Sequence, residues 1–66
     1  MHTDDIPWDI VRETATTLVR EYGERAIGVA KHRALKARAS GEPGEAEVWQ
    51  AVARVTAQVL TSEVEA

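Results

Sequence analysis

The stretch Ser40-Gly41-Glu42-Pro43-Gly44-Glu45-Ala46-Glu47-Val48-Trp49-Gln50-Ala51-Val52-Ala53-Arg54-Val55-Thr56-Ala57-Gln58-Val59-Leu60 decides the fold. Gly41, Pro43 and Gly44 fall within four residues, which marks a turn. Pro43 suits the first turn of a helix, where its missing N–H leaves no bond unmade. Glu42, Glu45 and Glu47 place negative charge at the positive end of that helix's dipole. Apolar residues then recur at spacings of three and four: Val48, Trp49, Val52, Val55, Val59 and Leu60, with Thr56 in the same stripe. So much valine also suits a strand. The length of the pattern, its spacing and the interspersed Ala51, Ala53 and Ala57 decide for a helix over about 43–63. The stripe is broader than contact with a single helix requires.

Working back from this turn, residues 24–40 read as a second helix ended by Gly41. Its inward stripe is Ala26, Ile27, Ala30, Ala34 and Ala37, with Leu35 alongside. Small residues at this spacing let a neighbouring helix approach closely. Gly28 lies one turn in and costs about 1 kcal/mol relative to alanine. Either another backbone passes near it, the preferred reading, or the helix starts late. A first helix is expected over about 5–22, with Asp4 or Asp5 as N-cap, Pro7 in the first turn and Asp9 near the dipole's positive end. Trp8, Val11, Ala15, Leu18 and Tyr22 form its stripe, widened by Ile10 and Val19, and Gly23 is its natural stop. The expectation is an all-α fold: one domain over residues 1–66, a small unit of three helices at about 5–22, 24–40 and 43–63, with ends fraying at about 1–4 and 64–66.

A chain of 66 residues makes a thin core from such material. It has no Phe, eight valines and eleven alanines, and alanine buries little area. Apolar burial worth on the order of 90 kcal/mol is set against a conformational entropy of about the same size. Without cysteine there is no disulfide to close that gap. Helix packing or self-association must do so, and a homodimer or higher oligomer is expected. Its interface is expected to include Trp8, Val48, Trp49, Val52, Val55, Val59 and Leu60, because the wide final stripe has more apolar surface than one neighbour covers. Trp8 and Trp49 each lead such a stripe, so both are expected to be substantially buried in the assembly.

The formal net charge is -3, which gives no general attraction to nucleic acid or to an anionic membrane. No stretch approaches the roughly 20 apolar residues of a membrane span. The acidic start Met1-His2-Thr3-Asp4-Asp5 lacks the basic and apolar regions of a secretory signal, so a cytoplasmic location is expected. Six arginines against two lysines, with abundant Ala and Val, hint at a GC-rich bacterial genome.

The one cationic run is Lys31, His32, Arg33, Lys36 and Arg38. Residues 31–38 carry +4, which leaves -7 for the rest of the chain. These side chains read first as a solvated helix surface. Lys31, Arg33, Lys36 and Arg38 are also possible contacts for an acidic partner or a phosphate. They do not form a single stripe, and no aromatic residue interleaves with them for base stacking. His32 has Gly28, Val29, Leu35 and Lys36 at the positions one turn away, so it lacks the convergent partners of a metal or catalytic site. Ser40 and Ser62 have no nearby base, Asp5, Asp9 and Glu13 read as a polar helix face, and no glycine loop cradles a phosphate. No catalytic residue, metal or cofactor is therefore expected.

Tyr22-Gly23, then Ala26, Ala30 and Arg33-Ala34, then Gly41, then Trp49 and Val52 together resemble a group of short bacterial helical proteins of unknown function. The resemblance covers about residues 8–60. It implies a helical hairpin or three-helix fold and supplies no activity or ligand. The functional expectation is a non-enzymatic interaction module, a small regulator or adaptor acting through helix–helix contacts. The alternative is a nucleic-acid-associated regulator using the basic face of helix 2.

Overall fold

The computed structural model describes residues 6–65, and among them the chain is helical with no strand. α1 spans Trp8–Tyr22, a 3-10 turn spans Gly23–Arg25, α2 spans Ala26–Ala39 and α3 spans Pro43–Glu65. The all-α expectation holds for these residues.

The break expected at Gly23 is a bend instead. Gly23 takes φ 60 and ψ -129, a backbone that L side chains rarely adopt, and its N–H donates to the Val19 carbonyl. The N–H of Ala26 donates in turn to the Gly23 carbonyl, so helical bonding resumes within three residues. Trp8 to Ala39 is therefore one long bent helical arm, and α3 packs against it. Three fully separated helices are not what the described residues form. The reason is that Glu24 and Arg25 re-enter helical geometry at once, leaving no loop.

The first helix also starts later than expected. Pro7 occupies the N-cap position without a side-chain cap, and the first helical bond runs from the Val11 N–H to the Pro7 carbonyl at 2.9 Å. Asp4 and Asp5, expected as caps, lie outside the described residues, as do the expected frayed residues 1–4 and Ala66. α3 itself runs to Glu65.

The second break is a true turn, built as the sequence suggests. Gly41 has φ 76. Its N–H donates to the Arg38 carbonyl at 3.1 Å, and the Glu42 N–H donates to the Ala37 carbonyl at 2.9 Å. That pair of bonds is a Schellman motif, which satisfies the last carbonyls of α2. The Ala46 N–H donates to the Glu42 carbonyl at 3.0 Å, so α3 begins one residue later with Pro43 in its first turn. α2 and α3 are thus tightly joined and antiparallel.

The core is small and alanine-rich. Among the described residues ten apolar side chains are buried, and seven are alanines: Ala15, Ala26, Ala30, Ala34, Ala46, Ala51 and Ala53. The other three are Val11, Leu18 and Val52. Thr56 is buried among them. α1 and α2 each pack mainly on α3 and only sparsely on each other. The breadth of the α3 stripe follows from this: it serves two halves of the bent arm. Val48, Trp49 and Val55 pack at the edge of this core, with Ile6, Val19 and Val29.

One sequence expectation is corrected by the packing. Gly28 does not mark a close approach, because a Cβ built there meets nothing within 4 Å; α2 begins at Ala26, two residues later than expected, which puts Gly28 in its first turn. Trp8 is 40% exposed within the chain, whereas Trp49 is half-buried. Among the described residues no helix is long and apolar enough to cross a membrane.

Candidate protein-binding groove

Alanine at successive turns of facing helices brings their axes close and leaves the surface above them low. Ala34 on α2 faces Ala53 and Ala57 on α3, and a groove of about 650 Å³ opens over them. Ile27, Lys31, Leu35 and Arg38 border it from α2, and Gln50 and Arg54 from α3. The α2 residues follow at i, i+4, i+8 and i+11, which keeps them on one flank of the helix. The antiparallel pairing sets Ile27 near Ala57 at one end and Arg38 near Gln50 at the other.

The groove's chemistry is two-part. Its apolar material is Ile27, Ala34, Leu35, Ala53 and Ala57, and Leu35 is 63% exposed. Its charged material is Lys31, Arg38 and Arg54, all exposed, and no acidic residue lines it. A ligand that suits it is apolar along one stripe and anionic beside that stripe. Such a ligand desolvates Leu35 and meets three cations that have no carboxylate of the groove to compete for them.

The cationic run of the sequence is therefore divided by the fold. Lys31 and Arg38 face the groove and are joined there by Arg54, which comes from a different helix. Arg33 and Lys36 lie on the other flank of α2, where they border a shallow depression with Ala37, Ser40, Glu42, Glu45 and Trp49. The Arg33 guanidinium sits over the Trp49 ring, 5.1 Å from its centroid. Trp49 thus meets the basic run from α3, and it is engaged there by Arg33 inside the chain. His32 borders a third depression with Tyr22, Arg25, Gly28, Val29 and Arg33.

On that second flank the Glu42 carboxyl hydrogen-bonds Glu45 and repels its negative charge, with a smaller effect of burial. Together these raise the Glu45 pKa above the ordinary carboxylate value. Among the described residues no group of three His, Cys, Asp or Glu is placed to hold a metal ion.

The residues expected at an oligomer interface are distributed unevenly. Val52 is buried in the core, and Val48, Trp49 and Val55 pack against it. Val59 and Leu60 are half-buried toward the end of α3, and Trp8 is the most open of the set. None of them lines the groove. The sequence reading passed over Leu35, Ile27 and Arg54 as groove residues. A signal for Arg54 was present: it is the only cation between residues 43 and 60, and Ala53 and Ala57 flank it. No family model, curated protein or solved structure matches the chain.

Proposed function

We propose that this chain is a non-enzymatic protein-interaction module that binds a helix of its partner in the groove between α2 and α3. The observation that carries this reading is the groove's make-up: an alanine floor, an exposed Leu35 and three cations without an acid. A helix-in-groove contact needs an apolar trough to take side chains one turn apart and polar groups at the rim to fix register. The groove runs from Ile27 to Arg38, which at 1.5 Å per residue is about 16 Å, or three helical turns. A regulator or adaptor working through helix–helix contacts fits such a surface.

The test uses two matched exposed aliphatic positions. Leu35 is 63% exposed and Ile10 is 60% exposed, and only Leu35 lines the groove. A photoreactive phenylalanine analogue is placed at one or the other and irradiated in living cells. Discrete protein crosslinks from position 35, with bands from position 10 that are weaker, different or the chain's own dimer, support the proposal. Equal smears from both positions, or no protein crosslink from position 35, overturn it. Nuclease-sensitive crosslinks from position 35 would favour the nucleic-acid alternative.

A further inference from the structure

The same two aliphatic side chains point to an occupant for the groove. Ile10 and Leu35 are the most exposed large apolar residues of the described chain, at 60% and 63%. Their surroundings carry opposite charge. Leu35 lies with Lys31, Arg38 and Arg54. Ile10 lies on the outward flank of α1, away from the core residues Val11, Ala15 and Leu18. Helical periodicity places Glu13, Thr14, Thr17 and Glu21 on that flank with it, and one cation, Arg20, at its edge beside Glu13. Glu13 and Glu21 are exposed.

We infer that the groove binds a second copy of this chain, which inserts the Ile10 flank of its α1. This rests on the reading of the groove as a helix-binding surface. The spacing is compatible along the helix axes. Ile10, Thr14 and Thr17 follow at i, i+4 and i+7, the pattern by which a helix lies in a groove. Glu13 and Glu21 are about 12 Å apart along α1, and Lys31 and Arg38 about 10 Å apart along α2, from 1.5 Å per residue. Set parallel to α2 with Ile10 beside Ile27 over the alanine floor, α1 brings Glu13 level with Lys31, Thr17 with Leu35 and Glu21 with Arg38.

The inference offers a route to self-association that does not use the α3 stripe, on which both α1 and α2 already pack. The two contacting surfaces differ, so the contact is heterologous: it closes if two chains exchange it, and otherwise grows. Because the charges are exposed, the association weakens as salt screens them.

Sedimentation of the full chain supplies the test, with a charge exchange as its control. At low ionic strength and about 100 µM the chain should sediment above its monomer mass, and about 0.5 M NaCl should shift it toward monomer, because the Debye length then falls to a few ångströms. The groove-reversed variant Lys31→Glu/Arg38→Glu and the flank-reversed variant Glu13→Lys/Glu21→Lys should each associate at least tenfold more weakly than the parent. Mixed together they should associate again, since each then offers the partner that the other needs. A parent chain that is monomeric at 100 µM in low salt overturns the inference, and so does a mixture that fails to associate. If a charge variant loses its helical circular dichroism, Ile10→Ser and Leu35→Ser test the same contact without changing charge. Either should lower association at least tenfold, and an unchanged mass for both overturns the inference. A monomeric chain that still gives protein crosslinks from position 35 refutes the second copy as occupant and leaves the helix-binding reading standing.

Discussion

Thr56 offers the sharpest test of the core. Its side chain is 0% exposed, and its Oγ1 has no hydrogen-bond partner. The usual remedy for a helical threonine is visible elsewhere in this chain. The hydroxyls of Thr16, Thr17 and Thr61 donate to the carbonyls four residues back, at 3.0, 3.0 and 2.9 Å. Thr56 does not do so, although the Val52 carbonyl stands in the equivalent place. The hydroxyl has therefore lost its hydration without a replacement. Thr56→Val substitutes a methyl group for that hydroxyl at nearly the same volume. Leaving a buried polar group unsatisfied costs about 1–3 kcal/mol, and the two residues differ little in helix propensity. Thr56→Val should therefore stabilise the chain by about 1–2 kcal/mol. For a domain of this size each kcal/mol is worth about 4–8 °C of melting temperature, so a rise of roughly 5–15 °C is expected.

The assay is urea and thermal unfolding followed by circular dichroism, with the urea slope checked for constancy so that the shift reports stability. Thr16→Val is the exposed control and should stay within about 0.5 kcal/mol of the parent. Thr56→Ser keeps the hydroxyl, removes a methyl and should destabilise. If Thr56→Val melts at or below the parent, the hydroxyl is in fact partnered in solution, with the Val52 carbonyl as the nearest candidate, and the argument from desolvation fails.

The remaining predictions concern the backbone, the second flank of α2 and the acidic turn. Gly28→Ala should stabilise by about 0.5–1 kcal/mol, since the residue is helical and a Cβ there meets nothing, whereas Gly23→Ala should destabilise by about 1–3 kcal/mol because of its positive φ alone; opposite signs in the same melting experiment are the expected outcome. Arg33→Ala should cost about 0.5–1 kcal/mol through its lost contact with Trp49 and alter the Trp49 fluorescence, and an unchanged melt and spectrum would show the stacking to be inconsequential. The Glu45 carboxyl should titrate above the ordinary range in a carbon-detected NMR titration, and Glu42→Gln should bring it down. The sign of the linked stability follows: the folded state holds this proton more tightly than the unfolded one, so this pair's contribution falls as pH rises from the ordinary carboxylate pKa through the raised one. A Glu45 titration that Glu42→Gln leaves in place would refute the assigned cause.

The two breaks in the helical pattern show how far local sequence reaches. Around Gly41 everything needed is local: a glycine able to take positive φ, a proline that opens the next helix and a cluster of acids at its start. The turn forms where those residues stand. At Gly23 the same kind of residue takes positive φ too, yet no proline or polar loop follows to carry the chain away. Whether such a glycine ends a helix or bends it is settled by what its neighbours can pack against. Here that is the stripe of α3, which lies far away in sequence. The breadth of that stripe was legible from Val48 to Leu60. Its cause was not: it covers two halves of one arm within the chain, and breadth alone does not separate that from contact between chains.

The groove was harder to see for a related reason. Lys31 and Arg38 belong to a basic run that a helical wheel divides between two flanks, and which flank meets α3 depends on the buried alanines. Ala34, Ala53 and Ala57 look like weak core residues when core is taken to mean bulk. Their effect here is geometric. Because they are small, they leave the surface between α2 and α3 low, and Leu35 borders it from one helix and Arg54 from the other. The thin core and the open groove are thus two results of one composition. The same small residues that keep the core thin are those that line the groove between α2 and α3.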